Sequence, residues 1–163
     1  HKIHMQTLCG MAHYDFRLRR GYSYEQAFTV MRRLRLPYSQ AQEMFRRMVF
    51  NVVARNQDDH TKNISFLMDE SGAWRLSPAY DMGYAYNPSG FWTATHQMSI
   101  NGKFDGVTRK DLLECAASNN IKNAAEIIDQ VSEAASRWTG IAKECGVPRN
   151  MIDNIKSNLL LNI

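Results

Sequence analysis

The sequence holds little that could cross-link it. Three cysteines, Cys9, Cys115 and Cys145, are scattered over 163 residues, too few and too far apart for a disulfide framework or a zinc site. That scarcity suits a reducing, cytoplasmic setting. No run of about 18 apolar residues exists, so no membrane span is expected. The amino terminus has no hydrophobic signal-peptide core either. Repeats, low-complexity tracts and linkers are absent, and the sequence opens at His1 rather than a methionine, which reads as a piece of a longer or processed chain. What remains is globular in composition, 44% hydrophobic and 22% charged, enough for one domain or one lobe of something larger. The net charge of +4 owes much to Arg17, Arg19, Arg20, Arg32, Arg33, Arg35, Arg46 and Arg47. Such arginines can meet phosphates, but solvated helix faces explain them as well, so they make a weak case for nucleic acid.

Periodicity organises the chain. Ser23 with Gln26 forms a capping box, and Tyr24, Ala27, Phe28, Met31 and Leu34 follow at helical spacing. Pro37 closes that helix, and Ser39 with Gln42 is expected to open a second. The second carries Met44, Phe45, Met48, Val49, Val52 and Val53 on one side. After Asn63 the period drops from 3.6 to 2. Ile64, Phe66 and Met68 alternate, Asp69-Glu70-Ser71-Gly72 turns, and Trp74 and Leu76 alternate again, which predicts a β-hairpin. Residues 84–106 predict a long ordered loop with short strands. Helices are expected near 108–118, 123–144 and 148–161, after Thr108, Asn123 and Pro148. The fold class is therefore mainly α with one small β-hairpin.

Between the second helix and the hairpin stands Arg55-Asn56-Gln57-Asp58-Asp59-His60-Thr61-Lys62-Asn63. Asn and Asp in a loop are often plain turn chemistry, because their side chains bond their own backbone. Spacing argues for more. A hairpin returns the chain to its start, so Asp81, just past the second strand, can arrive beside Asn63. That supplies one free carboxylate, Asp58, and an Asn/Asp pair of hard oxygen ligands suited to Mg²⁺, which takes its other ligands from water and phosphate. Phosphoryl transfer calls for such parts: a base for the attacking hydroxyl and a metal to offset charge on the phosphates.

Protein kinases carry an Asp, an Asn five residues later, a hairpin and then Asp-Phe-Gly. Here the order is Asp58, Asn63, a predicted hairpin and Asp81-Met82-Gly83. Asn56-Gln57-Asp58 stands in place of His-Arg-Asp, and no Ala-Pro-Glu follows. A fuller likeness runs over essentially the whole chain. The sequence resembles the carboxy-terminal domain of the HipA family of bacterial serine/threonine kinases. The resemblance lies in Asp58-Asp59-His60-Thr61-Lys62-Asn63-Ile64, in Trp74-Arg75-Leu76-Ser77-Pro78-Ala79-Tyr80-Asp81 and in His96-Gln97-Met98-Ser99-Ile100-Asn101-Gly102-Lys103. His4-Met5-Gln6-Thr7-Leu8 and Tyr22-Ser23-Tyr24-Glu25 fit it too.

The resemblance implies a protein-kinase-like large lobe spanning 1–163, with ATP and Mg²⁺ as cofactors. It makes Asp58 the catalytic base and Asn63 and Asp81 metal ligands, and it sets His60, Lys62, Asn63, Tyr80 and Asp81 around the nucleotide. It further implies the toxin of a toxin–antitoxin pair. The partner would be a HipB-type DNA-binding antitoxin, so DNA is met only indirectly. The substrate would be a protein such as an aminoacyl-tRNA synthetase, typically the glutamyl enzyme. Asp59, His96 and Lys103 fit the family without a derivable role. No Gly-rich phosphate loop or Val-Ala-Ile-Lys strand occurs here, so the small lobe is expected outside this chain and the chain alone is expected to be inactive. Two other readings stay open: a helical binding scaffold, and a metal-dependent phosphohydrolase in which Asp58 activates water.

Overall fold

The computed structural model describes residues 3–163. It is mostly helical, with two small sheets. Strand β1 (His4–Thr7) leads into a single turn, α1 (Leu8–Met11), then β2 (Tyr22–Ser23) and helix α2 (Tyr24–Arg33). The capping box is present: Gln26 N–H donates to Ser23 Oγ at 3.2 Å and Ser23 N–H to Gln26 Oε1 at 2.8 Å. Helix α3 (Tyr38–Val53) departs from expectation at its start. Pro37 is the N-cap and no side chain caps it, so Ser39 lies inside the first turn. The first turn is closed by backbone instead, Gln40 N–H donating to the Pro37 carbonyl at 2.9 Å.

The hairpin is β3 (Ser65–Met68) and β4 (Trp74–Leu76), with Phe66 opposite Leu76. It is not alone. β1 pairs antiparallel with β3, His4 opposite Met68 and Thr7 opposite Ser65, giving the order β1-β3-β4. Sequence gave no hint of β1, whose four residues are too short to show a period. Further on, β5 (Met98–Ser99) pairs parallel with β2.

Helices α4 (Arg109–Ser118), α5 (Ala124–Ser136), α6 (Trp138–Glu144) and α7 (Arg149–Asn158) complete the chain. The single helix expected over 123–144 is two, broken at Arg137, the shared cap. Beyond the break the Trp138 indole N–H reaches the Ile152 carbonyl at 3.2 Å, docking α6 on α7. Asn123 precedes α5 as expected but caps nothing, because its Oδ1 accepts from Gln42 Nε2 at 2.6 Å instead. Helix α7 stops short of 161, since Leu159 is extended and Leu160 N–H bonds the Val53 carbonyl at 2.9 Å. Among the described residues no helix is long and apolar enough to cross a membrane.

One core joins these parts: Phe28 and Met31 of α2, Phe45, Met48, Val49 and Val52 of α3, Leu112 and Cys115 of α4, and Ile127 and Ile128 of α5. All three cysteines are free. Burial pushes the Cys115 thiol well above its usual range, so it is core rather than nucleophile.

Thr108 caps α4 with Asp111 in a second capping box. Burial alone would raise the Asp111 pKa. The Thr108 hydroxyl, the Lys103 ammonium at 2.9 Å, the Thr108 amide and the Asn101 amide outweigh it and hold the carboxyl well below the usual range. This assigns Lys103 a structural role. A folded-state pKa below the unfolded value of about 3.9 stabilises above that value, and the gain is lost as pH falls through the folded pKa. Urea titrations over a pH series should therefore find Asp111→Asn less stable than the parent by a constant amount at neutral pH. The gap should close under acid.

Candidate active site

The polar loop at residues 55–63 begins where α3 ends. Arg55 takes a left-handed conformation (φ 57°), and Asn56 N–H bonds back to Asn51 O at 2.9 Å while Arg55 N–H bonds Val52 O at 3.3 Å. That pattern is a Schellman stop with arginine where glycine is usual. The Arg55 guanidinium lies 3.8 Å from the centre of the Tyr86 ring, a cation–π contact. Downstream the loop is pinned by α1: Leu8 N–H donates to Ile64 O at 2.7 Å and Cys9 N–H to Thr61 O at 3.1 Å. The loop is thus clamped at both ends by backbone bonds.

Its centre is anchored from inside. Asp59 is 3% exposed and meets three donors. Its Oδ2 accepts from the Tyr24 hydroxyl at 2.8 Å and His96 Nδ1 at 2.9 Å, and its Oδ1 from Gln97 N–H at 2.8 Å. The chain continues from Tyr24, whose oxygen accepts from Asn51 Nδ2 at 2.9 Å. Asn51 Oδ1 in turn accepts from Asn56 Nδ2 at 2.9 Å. Burial, then the neighbouring Asp59 charge, raise the Tyr24 phenol well above its ordinary pKa, so it stays a proton donor to that carboxylate. Buried polar groups need such complete partnering. Asp59 and His96 therefore hold the loop against α2 and the segment before β5. Sequence reading missed Tyr24, Asn51 and Asn56 here, because nothing in a helical period marks a core tyrosine or asparagine as polar anchors.

The hairpin does return the chain. Asn56 Nδ2 also lies 3.3 Å from the Asp81 carbonyl, and Asn56 forms a bridge with Ala85. Asp81 has φ 54°, the left-handed region, which non-glycine residues enter at a cost. The Tyr80 hydroxyl bonds the Lys62 carbonyl at 2.6 Å and also contacts Ser65 Oγ. His60, Asn63, Tyr80 and Asp81 consequently line one cavity, together with Asn51, Asn56 and Asp59. Its free volume is about 20 Å³, room for a single water-sized occupant.

Asp58 and Lys62 are placed differently. Asp58 is outside the cavity lining, half-buried, with its carbonyl accepting from Asn63 Nδ2 at 3.0 Å. Lys62 is exposed, and its Nζ sits 4.0 Å from the centre of the Phe16 ring.

The donor set suits a hard cation in several respects. Asn63 spends its amide nitrogen on Asp58 O, so its Oδ1 is left to accept or ligate. No described residue bonds the carboxylate of Asp58 or of Asp81. His60 Nδ1 is buried with no partner among the described residues. Among the described residues no cluster of three His, Cys, Asp or Glu could hold a metal. A two-ligand Mg²⁺ site made of Asn and Asp would not form such a cluster.

Comparison with known proteins points one way. The chain is 35% identical over 65 residues to the serine/threonine-protein kinase toxin HipA of Shewanella oneidensis, a stretch covering 40% of this chain and 15% of that protein. Its fold matches a chain of the solved Shewanella oneidensis complex of HipA, HipB and operator DNA, with TM-score 0.74 at 20% identity. That match covers 98% of this chain and 42% of the other, so the chain spans less than half of either relative. The model of the HipA-like C-terminal domain matches residues 1–139. With the Asp58-to-Asn63 loop and the Asp81 turn held together in one mostly helical fold, this chain belongs to the HipA-like C-terminal domain family.

Proposed function

We propose that this chain is the protein-kinase-like large lobe of a serine/threonine kinase that moves the γ-phosphate of ATP to a protein hydroxyl. The observation that carries the reading is the shared cavity of Asn63 and Asp81, with Asp58 tied to its edge through the Asn63 amide. In this reading Asp58 is the base: a carboxylate oxygen that no described residue bonds accepts the hydroxyl hydrogen of the incoming serine or threonine and aims its oxygen. Asn63 Oδ1 and the Asp81 carboxylate would hold Mg²⁺, whose charge would offset that of the phosphates. His60, Tyr80 and the exposed Lys62 would line the nucleotide phosphates. Asp59, Asn56 and His96 only position these groups.

A lobe without its phosphate-covering partner has half a nucleotide cleft, so this chain alone should transfer at a negligible rate. The toxin role, and a HipB-type antitoxin as partner, draw support from the named relative and from the complex in which the matching fold was solved. An aminoacyl-tRNA synthetase as substrate, and a cytoplasmic location, belong to the same proposal. The direct test is a Mg²⁺ titration of the chain, with and without ATP, followed by NMR. The Asn63 side-chain amide and the Asp81 backbone amide should shift together. Silence at both would remove the metal assignment and leave the scaffold reading.

A further inference from the structure

A basic, aromatic surface adjoins the Asp58 loop, and the proposed chemistry uses none of it except Lys62. It is built from residues 13–20 and 87–95, far apart in sequence. Arg20 Nη2 lies 3.3 Å from Thr95 Oγ1, and the Arg19 guanidinium sits 4.8 Å from the centre of the Phe91 ring. Phe91 and Trp92 pack edge to face, and Lys62 bridges to Phe16. Large apolar side chains remain in solvent: Phe91 is 65% exposed, Leu18 56%, Trp92 47% and Phe16 45%. Exposed apolar groups clustered in this way mark a contact surface.

The surface is fixed to the site. Asp59 holds His96 and Gln97. Gln57, with its amide nitrogen turned toward them, donates to the Thr93 and Ala94 carbonyls at 2.9 and 3.2 Å. Both residues flanking Asp58 thus grip the 93–97 segment, so whatever rests on Phe91 and Trp92 is registered against the base.

Charge selects the occupant. The two segments carry Arg17, Arg19 and Arg20 against one carboxylate, Asp15, which already pairs with Arg17 at 3.1 Å. Lys62 adds to the positive side. We propose that this surface docks an acidic segment of the protein that supplies the accepting hydroxyl. Its carboxylates meet Arg17, Arg19 and Arg20, and an apolar side chain seats among Leu18, Phe91 and Trp92. The inference rests on the phosphoryl-transfer reading for the identity of that partner. Single-stranded nucleic acid fits less well. Leu18 offers no ring for a base to stack on, and Lys62 and Arg19 already cover ring faces of Phe16 and Phe91 that stacking would use.

The test is fluorescence anisotropy with a labelled peptide of alternating glutamate and leucine around one serine, run against its lysine counterpart and an oligothymidylate. The acidic peptide should bind at least about tenfold more tightly than the basic one, and more weakly as salt rises. Arg17→Glu with Arg20→Glu, both on exposed side chains, should weaken it by a similar factor. Arg149→Glu on α7, outside the surface, should leave it unchanged. Equal binding of the two peptides, indifference to the charge reversal, no binding at all, or tighter binding of the oligothymidylate would each overturn the proposal. Binding is read without nucleotide, so it can succeed where phosphoryl transfer fails. Transfer by the whole protein that ignores peptide charge would refute the docking surface alone.

Discussion

Asp58→Asn and Asp81→Asn should each lower phosphoryl transfer by the whole protein by roughly 10³-fold or more, with the fold intact. The two side chains reach that result by different routes. The Asp58 carboxylate is bonded by no described residue, and its structural link to Asn63 runs through the backbone carbonyl, which asparagine keeps. Little stability is at stake, so the loss reports a missing base. Asp81 occupies the left-handed region at φ 54°, a conformation that asparagine tolerates better than most residues. The turn and its Asn56 bond then survive, and only the ligand charge is removed. Asp81→Ala is a poorer probe because it adds backbone strain to the lost ligand. Initial rates at saturating ATP, together with thermal unfolding, check the prediction. Activity within about tenfold of the parent in either asparagine variant would strip that residue of its role.

The second large effect is on stability and belongs to the neighbouring acid. Asp59→Ala should cost about 3–5 kcal/mol, because it strands the partners of a buried charge. The Tyr24 hydroxyl, His96 Nδ1 and Gln97 N–H, all on buried residues, would lose their acceptor. Asp59→Asn should cost less, about 1–3 kcal/mol, since the amide oxygen still accepts one of the three. Urea denaturation midpoints measure both. The two adjacent carboxylates should thus separate cleanly: one is needed for transfer and spares the fold, and the other is needed for the fold. An Asp59→Ala protein within about 1 kcal/mol of the parent would dismiss the anchor.

Several features were legible because they are local. The Ser23–Gln26 box and the cap at Thr108 place two helix starts through bonds three residues long. The change of period at Asn63 marks the hairpin, and the hairpin explains why Asp81 comes back to Asn63. Other features were hidden because they depend on distant partners. β1 is defined by β3, which lies about sixty residues on. The cap at Asn123 is diverted by Gln42, and the break at Arg137 goes with a tryptophan that reaches another helix. His96 and Lys103 had no derivable role until Asp59 and Asp111 were seen beside them.

Within the nonapeptide the same division holds. Its composition and its spacing to Asp81 are enough to suggest carboxylates and carboxamides gathered for phosphate chemistry, since hard-oxygen ligands and a free acid are chemical identities that survive without coordinates. Which acid faces outward and which is buried could not be read from Asp58-Asp59, because neighbouring residues of one type differ only in what surrounds them. Tyr24, His96 and Gln97 made that choice from thirty-five or more residues away. Burial, and with it the need for a full set of donors, is a property of the packed chain.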